Sequence, residues 1–197
     1  MKKAPLIDSE LPTLSFARQA DWEQWLDGHH VGTPGVWLKL GKTGSGVESV
    51  TYTQAVEVAL CYGWIDGKKK ALDGQHWLQK FTQRGSRSIW SRTNREKALA
   101  LIADGRMRPA GHHAVIAAQR DGRWQSAYDG QGNATIPDDF QAALNASPAA
   151  KALFDTLDGR NRYAMLFRIQ TVKRAETRAR NITRFIQMLE KGEKIHS

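Results

Sequence analysis

The sequence predicts an α+β fold: a small antiparallel sheet with a central hairpin, packed by several helices, and a helical last third. Three observations carry this. Asp73-Gly74 separates two strand-like runs, and that dipeptide supplies the positive-φ pair of a type I′ hairpin turn. Val36-Trp-Leu-Lys-Leu40 alternates as a strand directly after Pro34-Gly35. Beyond Pro137 the apolar spacing is helical throughout; Ile182, Phe185, Ile186 and Leu189 form one stripe, with Arg180, Arg184, Gln187 and Lys191 opposite.

In chain order, residues 1–15 read as an extended lead-in, because Pro5 and Pro12 oppose regular structure. Residues 16–197 read as one α+β domain with a helical C-terminal part, a reasonable size for a single core. Asp21 to Leu26 predicts a short helix ending at Gly28, with Trp22, Trp25 and Leu26 on one side as core. Gly41-Lys42-Thr43-Gly-Ser-Gly resembles a phosphate loop, but the register excludes it. That motif needs a glycine where Val36 stands, so the stretch reads as a turn between strands.

Thr51-Tyr-Thr-Gln54 has the form of a capping box and opens a helix that Gly63 stops. A two-residue hairpin loop would pair Trp64 with Gln83 and Asp66 with Phe81. Trp64, Asp66, Lys68, Lys70, Trp77, Gln79 and Phe81 then share a face. A bulge at Gly67 would reset the alternation and separate Lys68 from Asp66. Ser88 or Ser91 is placed to cap a helix running to about Ala103, and Pro109 opens another to Gln119. Residues 122–137 read as loop, anchored by Trp124 and Tyr128. Four helices follow, over Asp138–Asn145, Pro148–Leu157, Asn161 to about Val172, and Ala175–Lys191.

The net charge of +9 is concentrated. Residues 66–97 hold nine Lys/Arg against three Asp/Glu, and residues 160–184 hold eight against Glu176. Two such clusters point to anionic partners: nucleic acid, phosphorylated small molecules or acidic lipid head groups. The N-terminus lacks an apolar signal core and no apolar run reaches spanning length, so a cytoplasmic protein without a membrane span is expected. The single Cys61 excludes an internal disulfide and reads as a small buried thiol. The histidine pairs His29-His30 and His112-His113 point apart rather than converge, and neither a metal site nor a cofactor is implied. No Gly-x-Ser-x-Gly nucleophile is present, and Gly85-Ser86-Arg87 is not one.

The stretch from Cys61 to Asn94 is the densest in cationic and aromatic side chains. Arg84, Arg87 and Arg92 gathered before a helix start suit a terminus that receives a phosphate or carboxylate; paired with acids on a solvated face, they would be structural. Trp64, Trp77 and Trp90 are candidates for stacking on a ligand ring, with core packing expected for at least two of them. The candidate ligand-binding set is therefore Trp64, Asp66, Lys68, Arg84, Arg87, Trp90, Ser91 and Asn94, without a catalytic assignment.

Several separate motifs resemble the YdeI/OmpD-associated (OmdA-like) bacteriocin-protection family. They are Ala59-Leu-Cys-Tyr-Gly-Trp-Ile-Asp-Gly67, Gln79-Lys-Phe-Thr-Gln-Arg84, Arg87-Ser-Ile-Trp-Ser-Arg-Thr-Asn94, Ala103-Asp-Gly-Arg-Met107, Asn161-Arg-Tyr-Ala and Glu176-Thr-Arg-Ala-Arg180. The likeness runs from about Phe16 onward, with departures at Gln83, Gly85-Ser86 and Arg108. It implies a bacterial cytoplasmic stress-response protein tied to tolerance of bacteriocins or antimicrobial peptides, and it supplies no catalytic residues. The expectation is a non-enzymatic protein binding an anionic small molecule. The alternatives are an enzyme acting on a phosphorylated or carboxylated small molecule, with Asp66 as acid–base group, and a nucleic-acid binder using both basic clusters.

Overall fold

The computed structural model describes residues 10–196, which hold eight α-helices and a four-stranded mixed sheet. This is the α+β class read from the sequence. The chain divides into two compact units, one taking in residues up to 88 together with 94–125, the other 89–93 and 126–197.

The first unit carries the sheet, in the order β1-β2-β4-β3. Strand β2 (Val36–Gly41) pairs antiparallel with β4 (His76–Gln83), and β4 pairs antiparallel with β3 (Trp64–Ala71). Strand β1 (Thr13–Leu14) joins the far edge of β2 in parallel, which makes the sheet mixed rather than purely antiparallel. It falls inside the expected lead-in; the Trp37 amide donates to the Pro12 carbonyl at 2.9 Å, so the strand is held by its partner and not by its own pattern. The rest of that expectation, residues 1–9, lies outside the described residues.

The hairpin is present and its register near the core is as expected, with Trp64 opposite Gln83 and Asp66 opposite Phe81. Between Asp66 and Lys69 the register shifts by a bulge, so Lys69 faces Gln79 and Ala71 faces Trp77. That extra residue lengthens the connection to Leu72–Gln75, and none of its residues has positive φ. The expected type I′ turn is thereby corrected: the Asp73 carboxylate accepts from the amides of Gln75 (2.8 Å) and His76 (2.7 Å) instead. The bulge also removes Lys68 and Lys70 from the face shared by Trp77 and Gln79; Lys70 lies 4.6 Å from the Trp37 ring centroid.

Helices α1 (Gln19–His29) and α2 (Tyr52–Cys61) bring apolar stripes to this unit's core. Thr51 and Gln54 form the capping box at the start of α2. Trp22, Leu26, Leu38, Trp64 and Phe81 are fully buried, and Trp22 meets Trp64 edge-on at 6.4 Å. Helix α3 (Arg92–Ala103) precedes α4 (Pro109–Arg120). A Cβ at Gly111 of α4 would stand 2.8 Å from the Leu60 carbonyl and closer still to that of Cys61, so glycine is what permits the approach of α4 to α2.

The second unit is helical: α5 (Asp138–Ala146), α6 (Pro148–Thr156), α7 (Gly159–Gln170) and α8 (Ala175–Glu190). Their apolar stripes meet in a core that includes Phe140, Leu144, Phe154, Met165, Ile169, Phe185 and Leu189. Ser147 caps α6 through the Ala150 amide, and Asp158 caps α7 through the Asn161 amide.

Candidate functional site

The second unit contains a cavity of about 290 Å³ to which both basic clusters contribute an arginine. Arg92 opens α3, and Arg178 comes from the second turn of α8. The backbone explains how Arg92 is held. The Tyr128 amide donates to the Trp90 carbonyl at 3.0 Å, and the Arg92 amide donates to the Tyr128 carbonyl at 2.8 Å. This short parallel bridge pins Trp90–Arg92 to the strand-like segment at Tyr128, with the Trp90 ring buried beside it. Ser126, Ala127, Tyr128, Asp129, Pro137 and Gln170 complete the lining.

The two guanidinium groups are used differently. Arg178 is clamped: its Nε and Nη2 reach the two oxygens of Asp139 at 2.6 and 2.8 Å, and its Nη1 donates to the Ile169 carbonyl at 2.8 Å. The hydrogen bond from Arg178 holds the Asp139 carboxyl below the usual carboxylate range, and raises Arg178 itself. Arg92 meets Asp129 through Nε at 3.0 Å; its side chain is 58% exposed and that of Asp129 12%. The exposed guanidinium places further N–H donors on the cavity side, in the planar fork that suits a carboxylate or phosphate.

Two further groups complete the chemistry. The Oε1 of Gln170, the last residue of α7, is buried and has no protein partner among the described residues. Tyr163 donates its hydroxyl to the Asp129 carbonyl at 3.1 Å, and burial pushes its pKa up to about 12, so it stays a neutral donor. The cavity thus presents the exposed Arg92 guanidinium, and Gln170 on its lining keeps a buried carbonyl oxygen without a protein donor among the described residues.

The residues singled out from the sequence are divided between the units. Trp90 and Ser91 belong to the second, where Ser91 forms the bridge to Tyr128. Trp64, Asp66, Lys68, Arg84, Arg87 and Asn94 belong to the first. The Trp64 ring is wholly in the core, its Nε1 donating to the His30 carbonyl at 3.2 Å, and Trp90 is equally buried, so packing is the role of two of the three tryptophans. Asp66 is half-buried and accepts from the Tyr52 hydroxyl at 2.7 Å. Lys68 is exposed past the bulge. The Arg84 amide donates to the Gly63 carbonyl at 2.9 Å, Arg87 is exposed, and Asn94 is half-buried in the first turn of α3.

Between Arg84 and the expected helix start, residues 85–88 form a turn lining an opening of about 390 Å³. The Ser88 hydroxyl accepts from the Gly85 amide at 3.0 Å, and α3 begins only at Arg92, which leaves Ser91 at the cap position. Arg123 holds this loop: Nε and Nη2 bind the Asp121 carboxylate while Nη1 donates to the carbonyls of Gly85 (3.2 Å) and Ser88 (2.9 Å). Sequence reasoning missed Arg123, which sits in a stretch read as loop. It also missed Gln170, since an amide at a helix end carries no pattern. The signal for Arg178 was present in Glu176-Thr-Arg-Ala-Arg180, but not its convergence with Arg92.

Among the described residues, no three His, Cys, Asp or Glu side chains are placed to hold a metal ion, and no helix is long and apolar enough to cross a membrane.

The chain is a two-unit α+β protein with a sheet-bearing first unit and a helical second one. Residues 14–114, just over half of the chain, match the family model described as a domain of unknown function, DUF8412, and the chain belongs to that family. Residues 133–192 match the family model described as bacteriocin-protection, YdeI or OmpD-associated, OmdA. The resemblance read from the motifs holds there, over α5 to α8, which contain Asn161-Arg-Tyr-Ala and Glu176-Thr-Arg-Ala-Arg180. No curated protein and no solved structure matches the chain.

Proposed function

We propose that this protein supports tolerance of bacteriocins or antimicrobial peptides from the cytoplasm by binding a small organic anion in the Arg92–Arg178 cavity, without catalysing its conversion. The ligand carries a carboxylate or phosphate for the Arg92 fork and a hydroxyl or ammonium donor for Gln170. The observation that carries this reading is the buried, unpartnered Oε1 of Gln170 on a cavity lined by two arginines. A buried polar atom without a partner costs about 1–3 kcal/mol, which a ligand donor would recover.

Three points support the reading. The OmdA match covers α5 to α8, and with them Gln170 and Arg178. Asp129, the one carboxylate on the lining, is already bound to Arg92, which favours holding a ligand over acid–base work on it. The net charge of +9 repels cationic peptides, whose polar faces are rich in Lys and Arg, so a protective effect through direct capture is disfavoured.

The test is survival of a bacteriocin-sensitive host expressing the wild type or Arg92→Gln, at matched protein levels. Protection by the wild type and its loss in Arg92→Gln is the expected result. Equal protection by both removes the cavity from the function.

A further inference from the structure

The hairpin unit contains a second cleft, of about 440 Å³, lined by Lys42, Thr43, Lys69, Lys70, Ala71 and Trp77. Its make-up follows from the bulge in β3. By shifting the register one residue, the bulge turns Lys69 and Ala71 toward the face that carries Gln79 and Trp77. The turn after β2 supplies the other wall. The Lys42 amide donates to the Gln75 carbonyl at 2.8 Å and its Nζ to the Asp73 carbonyl at 2.7 Å, tying that turn to the hairpin tip. Trp77 is half-buried, supported by Tyr52 at 5.8 Å between ring centroids, and Tyr52 is in turn anchored on Asp66.

The lining therefore combines an indole, the Ala71 methyl and three lysines, with no carboxylate among them; the Lys70 ammonium turns to the Trp37 ring, which leaves Lys42 and Lys69 for an anion. Lysines hold phosphates as mobile point charges, and an indole face takes a flat heteroaromatic ring. The volume falls within the range of small-molecule sites, roughly 300–1,000 Å³. We infer that this cleft binds a mononucleotide, with its base against Trp77 and its phosphate held by Lys42 and Lys69. This assignment is independent of the Arg92–Arg178 cavity, which lies in the other unit and lacks an exposed indole. It is also not a phosphate loop, because the lysine of Gly41-Lys42-Thr43 is held across the sheet end and not over a helix start.

Calorimetric titration of the full chain with AMP, adenosine and inorganic phosphate at low salt tests it. AMP is expected to bind at least about tenfold more tightly than either adenosine or phosphate alone, since each keeps only half of the contacts. Trp77→Leu should weaken AMP roughly tenfold, in line with the strength of base stacking on an aromatic side chain. Lys42→Ala with Lys69→Ala, both exposed, should bring AMP down to the level of adenosine without changing the fold. No heat with AMP at millimolar concentration overturns the assignment, as does full binding by the double lysine variant. A short single-stranded oligonucleotide that binds about a hundredfold more tightly than AMP also overturns it, in favour of a nucleic-acid surface.

Discussion

The sheet-bearing unit and the helical unit each hold a conspicuous arginine, and they hold it in opposite ways. Arg123 of the first is 6% exposed, and its guanidinium is taken up by Asp121 and by the carbonyls of Gly85 and Ser88. Arg92 of the second is largely exposed, and its ion pair with Asp129 is made from Nε. The lesson is that a basic cluster in a sequence does not mark a ligand site by charge alone. What separates structural from ligand-facing arginines is how many of the five N–H donors the protein itself already engages.

The largest effects should come from the cores, and there the two units should behave alike. Trp22→Ala in the first and Phe154→Ala in the second each empty a fully buried position, and each should cost about 3–5 kcal/mol. Urea denaturation followed by circular dichroism measures both. A cost under about 1 kcal/mol for either would mean that its core is looser than the burial indicates.

The arginine contrast comes next. Arg123→Met strips the Gly85 and Ser88 carbonyls of their donor and should cost about 1–3 kcal/mol. Arg92→Gln removes an ion pair that is exposed at the arginine and buried at Asp129, with the glutamine amide left as a donor, and should cost about 1 kcal/mol. The same denaturation experiment ranks them, and a reversed order would break the comparison outright.

Acid provides a smaller effect, confined to the second unit's clamp. Hydrogen bonding from Arg178 lowers the Asp139 pKa, so the pair stabilises the fold at and above the ordinary aspartate value of about 3.9. That contribution is lost as the pH falls through the lowered folded value. The carboxylate is about half exposed, which limits it to about 0.2–1 kcal/mol. Asp139→Asn should therefore lower stability at neutral pH while flattening its decline below about pH 4. An unchanged decline would show that other carboxylates carry it.

Smallest of all, each unit hides one phenol. Burial pushes Tyr62 and Tyr163 up to about 12, with Tyr62 donating to Asp27 at 3.1 Å and Tyr163 to the Asp129 carbonyl. Both favour the neutral form, so they contribute stability that is intact below about pH 10 and is lost as the pH rises through 12. Ultraviolet difference titration should show two late-ionising tyrosines, with Tyr62→Phe and Tyr163→Phe each removing one.

Much of the fold was legible because its signals are local. The capping box at Thr51–Gln54, the apolar stripe of α8 and the hairpin around Asp73-Gly74 are each written within a dozen or so residues. The turn type was not legible, because the bulge after Asp66 changes the register that sets it. Nor was β1, where Thr13 and Leu14 are extended only because β2 bonds to them. The site was legible in half. The motif from Arg87 to Asn94 includes Arg92, and Glu176-Thr-Arg-Ala-Arg180 includes Arg178, yet only tertiary structure lines one cavity with both. Gln170 has no sequence signature, since its importance lies in a missing partner.

That missing partner allows the most direct test of the anion cavity. Calorimetry with malate and succinate, which differ by one hydroxyl, isolates the donor to Gln170 from the charge seen by Arg92. Malate should bind about two- to tenfold more tightly than succinate, the worth of one hydrogen bond. Gln170→Leu should erase that ratio while leaving succinate in place, and Arg92→Gln should weaken both ligands together. A malate preference that survives Gln170→Leu, or binding indifferent to Arg92→Gln, would contradict the cavity assignment.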